Sequence, residues 1–393
     1  MREIALALVL MVDSSAALAA ANKLSGMYDT ATIANAQPRL RSRVTEIYEK
    51  AFRPNLLPEE QRALSNLTIQ SPLTGDPVVG YYSDSRNGVV TVPATSLLFF
   101  EDLCESYAWL YVKGYRLETV EEYMTMLKYK EPQAFGGRYP PPLKALGIPN
   151  DALDDTKVND LSLRFRNSGY AFILGHELGH IRFQHKGYGN VSADIAQGNE
   201  RQADQFGLEL MRRVGEIPMG AMLFFQAGIY HFENRADFGS DAEWQEFLAN
   251  RATHPVTADR LKRLSEQIDA LAPDFARGPN RAAGMETVHF IGRRFADFAA
   301  FLNDPLLQRV MRARAEKAHP SSLLPRREKQ SRVEMNIFSK PVGDEHAART
   351  VSDRQLGLRL HQRRLGCDPA RPEHRDLTGS HRDRVTEIRV RQI

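Results

Sequence analysis

Cysteine is nearly absent from this sequence: Cys104 and Cys367 are the two that occur among 393 residues. Two cysteines so far apart cannot form a disulfide framework, and without a Cys-x-x-Cys pair any metal site must use histidines and carboxylates. A surplus of charge is also missing, since the formal net charge is +3. Before the C-terminal segment no basic stripe is interleaved with aromatic residues, which argues against a nucleic-acid partner.

Long hydrophobic runs are missing as well. A membrane-spanning helix needs about 20 apolar residues, and because no run reaches that length we expect no transmembrane segment. A short apolar run, Ile4–Val12, follows the basic Arg2 and precedes an Ala-Leu-Ala sequence at 17–19 that is typical of a secretory cleavage site. The pattern predicts a signal peptide over 1–19 and an exported protein, periplasmic or secreted. A buried first helix is the alternative, and Asp13 directly after the run favours it.

The C-terminal segment differs in composition from the rest of the chain. From about Pro320 onward, arginine and histidine are frequent and large apolar residues are sparse. Such a segment cannot bury enough apolar surface to offset its ordering entropy, so residues 320–393 are predicted to be a disordered tail. A basic partner-binding tail and translation out of frame are the alternatives. Residues 20–319 are then expected to form one domain, and the hydrophobic content of 42% allows a sizeable core.

Helical periodicity dominates the predicted domain. One strand stands out, because Asn87-Gly88 forms a turn before Val89–Val92, and Pro93 ends that strand or makes it an edge strand. The residues between Gly136 and Pro149 are predicted to be a loop. The fold class is therefore expected to be α+β and mostly helical, with a small sheet. The predicted helices span Pro38–Lys50, Ser96–Tyr111, Thr119–Tyr129, Asn159–Gln184, Asn199–Val214, Ala221–Ala227, Asp241–Asn250, Ala258–Leu271, Met285–Leu302 and Pro305–Ala318.

The long helix predicted over Asn159–Gln184 carries a His-Glu-x-x-His motif. Positions i and i+4 share one face of a helix, so His176 and His180 can bind the same Zn²⁺. Glu177 lies beside them and can act as a base on a water at the metal. The flanking residues are apolar, and two histidines and a glutamate buried without a metal would be costly. The motif therefore predicts a catalytic zinc site and disfavours the alternative, a surface helix with two histidines.

The third zinc ligand is predicted in a later helix. A metzincin would have a glycine and a histidine where this chain has Phe183 and Lys186, so that class is excluded. His185 is out of register for a ligand and is expected at the surface or beside a ligand. Glu200 and Asp204 are again i and i+4, so Glu200 can complete the ligand set while Asp204 accepts a hydrogen bond from a ligand imidazole. A solvated helix charge is the alternative for Glu200.

Three blocks in this order resemble the gluzincin metallopeptidases of the HtpX and CAAX-prenyl-protease type. They are HELGH at His176–His180, ERQAD at Glu200–Asp204 and THPVTADRLKRL at Thr253–Leu264. The resemblance implies a zincin-like catalytic domain in which the edge strand of a small sheet, at Val89–Pro93, precedes the active-site helix. The transmembrane helices of the membrane-bound branches are missing, which implies a soluble, exported relative. Regulatory gluzincins that cleave repressors are the alternative family, but they lack the His-Pro block.

The resemblance also implies the roles of individual residues. It makes Glu200 the third ligand and places His254 and Arg260 near the substrate, where His254 can stabilise the oxyanion. The alternatives are a packing residue before Pro255 for His254 and a surface salt bridge for Arg260. With Glu177 as base, one Zn²⁺ per chain would then hydrolyse peptide bonds.

The expected substrate is an unfolded or extended polypeptide that adds a strand along Val89–Val92. Such backbone pairing would suit a protease of protein quality control in the cell envelope. A non-enzymatic alternative is a zinc-stabilised chaperone or adaptor that binds unfolded chains. Glu177 argues against this alternative, because a purely structural zinc site does not need that carboxylate.

Overall fold

Helices form most of the chain in the computed structural model, which describes residues 23–186, 191–250 and 256–325, apart from the side chains of residues 249 and 250. Short 3₁₀ helices and a π-helical turn at Ile47–Phe52 join the longer elements. The expected α+β, mostly helical fold class is confirmed. The α-helices are α1 Thr30–Glu46, α2 Pro58–Ala63, α3 Ala94–Lys113, α4 Glu118–Tyr129, α5 Pro142–Ala145, α6 Thr156–Arg182, α7 Ala193–Val214, α8 Met219–His231, α9 Asp241–Asn250, α10 Ala258–Ala270, α11 Ala272–Phe275, α12 Arg281–Leu302 and α13 Pro305–Lys317.

The two helices that carry the predicted metal ligands have clear capping signals. Helix α6 begins after Asp155, whose side chain accepts hydrogen bonds from the N–H groups of Lys157 and Val158. Helix α7 ends at Gly215, which has a φ of 72° and so takes the left-handed conformation that favours glycine. Helix α7 begins at Ala193 instead of at Asn199, because its first turns are polar and give no apolar periodicity.

The small sheet has three strands, β1 Thr68–Gln70, β2 Tyr82–Asp84 and β3 Val89–Thr91. Strand β3 is central, since it pairs in parallel with β1 and antiparallel with β2. The prediction that Val89–Val92 forms an exposed edge is therefore wrong. Pro93 is the N-cap residue of α3 and follows the strand, so it interrupts no pairing. The edge strand of the sheet that precedes the active-site helix is β2.

Helix α6 lies at the centre of the helical core, against α3, α7 and α8. Small residues bring it very close to α7. A Cβ atom at Gly179 would lie 2.8 Å from the Cα atom of Ala203, and one at Gly175 would lie 2.9 Å from the Cα atom of Gly207. The separation of two packed helices depends on the side chains between them. These small residues therefore allow the polar side chains of α7 to contact those of α6.

Two segments of the prediction fall largely outside the described residues. The predicted signal peptide, 1–19, lies wholly outside them, as does most of the predicted tail. The described part continues through a 3₁₀ helix, Pro320–Leu323, in which Leu323 is buried. In the ranges described, no helix combines the length and the apolar character needed to cross a membrane.

Candidate metal centre

The side chains of His176, His180 and Glu200 converge between α6 and α7. The two histidine Nε2 atoms lie 3.1 Å apart. The carboxylate oxygens of Glu200 lie 3.6 Å from Nε2 of His176 and 3.5 Å from Nε2 of His180. All three residues are buried. Among the described residues they form the one group of three or more His, Cys, Asp or Glu side chains close enough to hold a metal ion.

The distances within this group fit a zinc ion. Tetrahedral zinc with bonds of about 2.0–2.1 Å separates its ligand atoms by about 3.3–3.4 Å. The separation of the two histidine nitrogens and the distance from each of them to the nearer oxygen of Glu200 are close to that value. Two imidazoles and one carboxylate also match the ligand set of catalytic zinc sites, which keep one position for water or substrate. The residues present therefore suit the metal in both geometry and chemistry.

Glu177 is buried beside the candidate ligands. Its Oε2 atom has no hydrogen-bond partner among the described residues. A buried carboxylate oxygen without a partner is costly, so a buried polar atom of this kind indicates a ligand or a catalytic role. The arrangement is the one expected of a base whose partner is a water or a substrate group at the site.

Asp204 holds the ring of His176 from the side opposite the metal position. Nδ1 of His176 lies 2.9 Å from Oδ1 of Asp204, so the ring donates its Nδ1–H and leaves Nε2 for the metal. Burial on its own would lower the pKa of His176, but the hydrogen bond to Asp204 and the charges of Glu200, Asp204 and Glu177 together raise it. The site is thus strongly anionic and suited to a cation.

Arg260 lies behind the candidate ligands, near the start of α10. Its Nε and Nη2 atoms each donate to Asp204 at 2.7 Å, and its Nη1 atom lies 2.7 Å from Oε2 of Glu200. Thr257, the N-cap residue of α10, accepts a hydrogen bond from the backbone N–H of Arg260. The side chain is buried, which excludes the alternative of a surface salt bridge. The contacts with two carboxylates of the site were not predicted from the sequence.

The C-terminal end of the motif is tied to the edge of the sheet. Ser85, which follows strand β2, donates through Oγ to the backbone oxygen of His180 at 3.0 Å. Nothing in the sequence indicated this contact. His254 lies outside the described residues, so its predicted role stays a prediction.

The sequence of residues 190–268 matches the model of peptidase family M48. The matched segment includes Glu200, Asp204 and Arg260, and the His-Glu-x-x-His motif at 176–180 precedes it, so the match and the motif are separate observations. No curated protein and no solved structure matches the chain. In the matched segment and in the His/His/Glu cluster, the chain is similar to the zinc metallopeptidases of family M48, the HtpX-like group.

Proposed function

We propose that the chain is an exported, zinc-dependent endopeptidase that cleaves unfolded or extended polypeptides, in protein quality control of the cell envelope. The convergence of His176, His180 and Glu200 beside the buried Glu177 carries the proposal. The match to a metallopeptidase family supports peptide hydrolysis. The signal-like N-terminal sequence supports export, and a mature N-terminus at or near Ala20, found by sequencing protein from the source cell, would test that part.

Each residue of the site then has a distinct role. A zinc ion held by His176, His180 and Glu200 would supply Lewis-acid chemistry for polarising a carbonyl and activating water at neutral pH. Glu177 accepts the proton of the attacking water and passes it to the leaving amine. Asp204 keeps His176 in the Nδ1–H form. His254 is proposed to donate to the oxyanion of the tetrahedral intermediate.

Arg260 is assigned a positioning role, because its described contacts are with Glu200 and Asp204. One guanidinium binds both carboxylates and fixes the distance between α10 and α7 at the site. Planar, bidentate pairing of this kind is specific to arginine. The charge of Arg260 also offsets part of the repulsion between the two buried anions. We therefore expect Arg260 to act through the ligands and not by contact with substrate.

Strand β2 is the edge to which an extended substrate can add. The residues on either side of β3 hydrogen-bond to β1, with Thr68 N donating to Gly88 O and Val92 N donating to Gln70 O. Val90, which lies between Gly88 and Val92 with the same alternation, therefore also directs its backbone groups toward β1. Successive residues of a strand point their backbone groups to opposite sides, so Val89 and Thr91 face β2. Their partners in the register are Asp84 and Tyr82.

Ser83, between those two partners, therefore directs its N–H and C=O away from the sheet. The edge is close to the metal centre, since the neighbouring Ser85 binds the backbone of His180. Pairing through backbone groups selects an extended conformation more than a particular side chain. This geometry supports unfolded segments and loops as substrates.

The replacement Glu177→Gln tests the proposal. It keeps the shape of the side chain and should retain one zinc per chain, but hydrolysis of unfolded casein should fall by roughly 10²–10⁴-fold, as for the loss of a positioned base. Glu266→Gln, at an exposed position of α10, is the matched control and should leave the rate unchanged. Wild-type turnover by zinc-loaded Glu177→Gln protein would refute the mechanism. A zinc-loaded wild-type chain that binds casein without cleaving it would favour the chaperone or adaptor.

A further inference from the structure

His180 has a histidine partner on the side opposite Glu200. Its Nε2 atom faces the metal position, and its Nδ1 atom lies 2.9 Å from Nδ1 of His185. Nε2 of His185 in turn lies 2.9 Å from Oε1 of Gln202, on helix α7. The three side chains form a continuous chain of hydrogen bonds from α7 to a candidate ligand on α6.

The end of helix α6 places His185 there. The N–H of His185 bonds to the carbonyl of His180, and the N–H of Gln184 bonds to that of Ile181, which is the pair of bonds of a Schellman motif. This motif usually has glycine at the residue that takes a left-handed conformation, yet Gln184 takes it here with a φ of 54°. Such a conformation costs a non-glycine residue about 1–2 kcal/mol and persists where its surroundings hold it.

Aromatic contacts hold the returning chain in place. The ring of Phe183 stacks on that of His185, with centroids 5.7 Å apart and an interplanar angle of 22°. Phe183 also makes a T-shaped contact with Phe206 on α7, with ring centroids 5.9 Å apart. His185 is therefore fixed from three directions, by its own backbone, by Phe183 and by Gln202.

One placement of protons satisfies the whole chain of bonds when His180 binds zinc through Nε2. The neutral ring of His180 must then carry its proton on Nδ1. Two Nδ1 atoms at 2.9 Å cannot both be protonated, so Nδ1 of His185 is the acceptor. The neutral ring of His185 carries its own proton on Nε2 and donates it to Oε1 of Gln202, which is an acceptor. Every ring nitrogen of the two histidines then has a partner.

We propose that His185 and Gln202 are positioning residues that fix the tautomer and ring orientation of His180, as Asp204 does for His176. The inference rests on the proposed zinc site. The two histidine ligands are thus held differently, His176 by a carboxylate and His180 by a neutral imidazole–amide pair. The second arrangement orients the ring without adding a further negative charge to a site that already holds Glu177, Glu200 and Asp204.

Variants at position 185 separate a hydrogen-bonding role from a packing role. His185→Asn places an amide oxygen close to the position of Nδ1 and keeps the acceptor, whereas His185→Leu keeps similar bulk without it. Zinc affinity of the full chain, measured by competition with a chelating dye, should fall by roughly 10–100-fold for His185→Leu, the range for partners of metal ligands. His185→Asn should lie nearer to wild type. Equal affinities for the two variants would overturn the proposal.

Gln202→Leu tests the outer link at an exposed position, where the substitution leaves the core intact. It should weaken zinc binding, but less than His185→Leu does. Gln205→Leu, at an exposed glutamine on the same helix, should leave the zinc affinity unchanged.

Nitrogen-15 NMR of the zinc-loaded chain should show the proton of His180 on Nδ1 and that of His185 on Nε2. A proton on Nδ1 of His185 refutes the assignment. A wild-type chain that binds no zinc overturns the zinc site and this inference together, whereas zinc binding and hydrolysis that are unchanged in Gln202→Leu and His185→Leu overturn this inference alone.

Discussion

Replacing Arg260 with methionine would test the charge network behind the metal ligands. Arg260 is 7% exposed, and the two carboxylates that it contacts, Glu200 and Asp204, are 1% and 2% exposed. Methionine retains most of the apolar stem but removes the guanidinium, which lies over the ring of Phe225. In metal-free protein both carboxylates would then stay buried without that charge, and Asp204 would also lose its two hydrogen bonds.

The expected loss of stability is large. Removal of one partner from a buried ion pair costs about 3–5 kcal/mol, because the remaining charge is left uncompensated. Arg263, on the same helix, provides the matched control. It lies 2.8 Å from Asp259, with side-chain exposures of 47% and 62%, and exposed pairs of this kind contribute about 0–1 kcal/mol. Arg263→Met should therefore change the free energy of unfolding little.

Urea denaturation with a chelator present would measure both variants under the same conditions. We expect the free energy of unfolding to fall by about 3–5 kcal/mol for Arg260→Met and by less than about 1 kcal/mol for Arg263→Met. Arg260→Lys, which keeps the charge without the bidentate geometry, should lie between them. Losses of the same small size for both methionine variants would show that the buried network contributes no more than a surface pair, and would refute this reasoning.

Two further predictions concern the substrate edge and a buried acid. Ser83→Pro removes the backbone donor on the free side of β2, so peptide hydrolysis should fall while zinc content stays, and Ser83→Ala, which keeps the N–H, should cleave normally; full activity of the proline variant would place the substrate elsewhere. Burial raises the pKa of Asp102 to about 8; the charges of Glu105 and Glu101 also raise this pKa, whereas the hydrogen bond from Tyr28 lowers it. Folding thus favours the protonated acid. As the pH rises from 5 to 7.5, the free energy of unfolding of the wild type, relative to that of Asp102→Asn, should fall by up to about 1.4 kcal/mol per pH unit. If urea denaturation gives the two proteins the same dependence of this free energy on pH, the prediction is contradicted.

The strand at Val89–Val92 shows how a sequence pattern can identify an element and mislead about its place. Its β-branched residues and the preceding Asn-Gly turn predicted a strand, which the structure confirms at Val89–Thr91. Pro93 is compatible with either the end of that strand or an edge strand, and the structure confirms the first, since Pro93 is the N-cap residue of α3. An apolar run without alternation indicates a strand buried on both faces, and the successive residues Val90 and Thr91 are both buried. Burial of the faces does not indicate which strands lie beside it, and here β1 and β2 flank it. Strands β1 and β2 have three residues each, which is too short for an alternating pattern to predict them from the sequence.

Arg260 shows that the partners of a buried charge are hard to predict from a sequence. The family resemblance placed it near the substrate, and the alternative was a surface salt bridge. In helix α10 it shares the buried face with Leu264 and Ile268, at intervals of four residues. A charged residue on an otherwise apolar face indicates a buried, paired group, but the sequence does not say which acids it meets. Those acids come from α7, and only the packing of α10 against α7 brings them together.

The metal centre depends on a contact between backbones as much as on its ligands. Glu200 lies on α7 and the histidines on α6, so its carboxylate reaches them only if the two helices approach closely. The last variable position of the motif is Gly179, where a Cβ atom would meet the backbone of Ala203 at 2.8 Å. Real Cβ atoms do not approach that closely, so a larger residue there would force the helices apart. Zinc separates its ligands by about 3.3–3.4 Å, a spacing that tolerates little such displacement. The glycine inside the motif is therefore part of the metal site, although it offers no ligand atom.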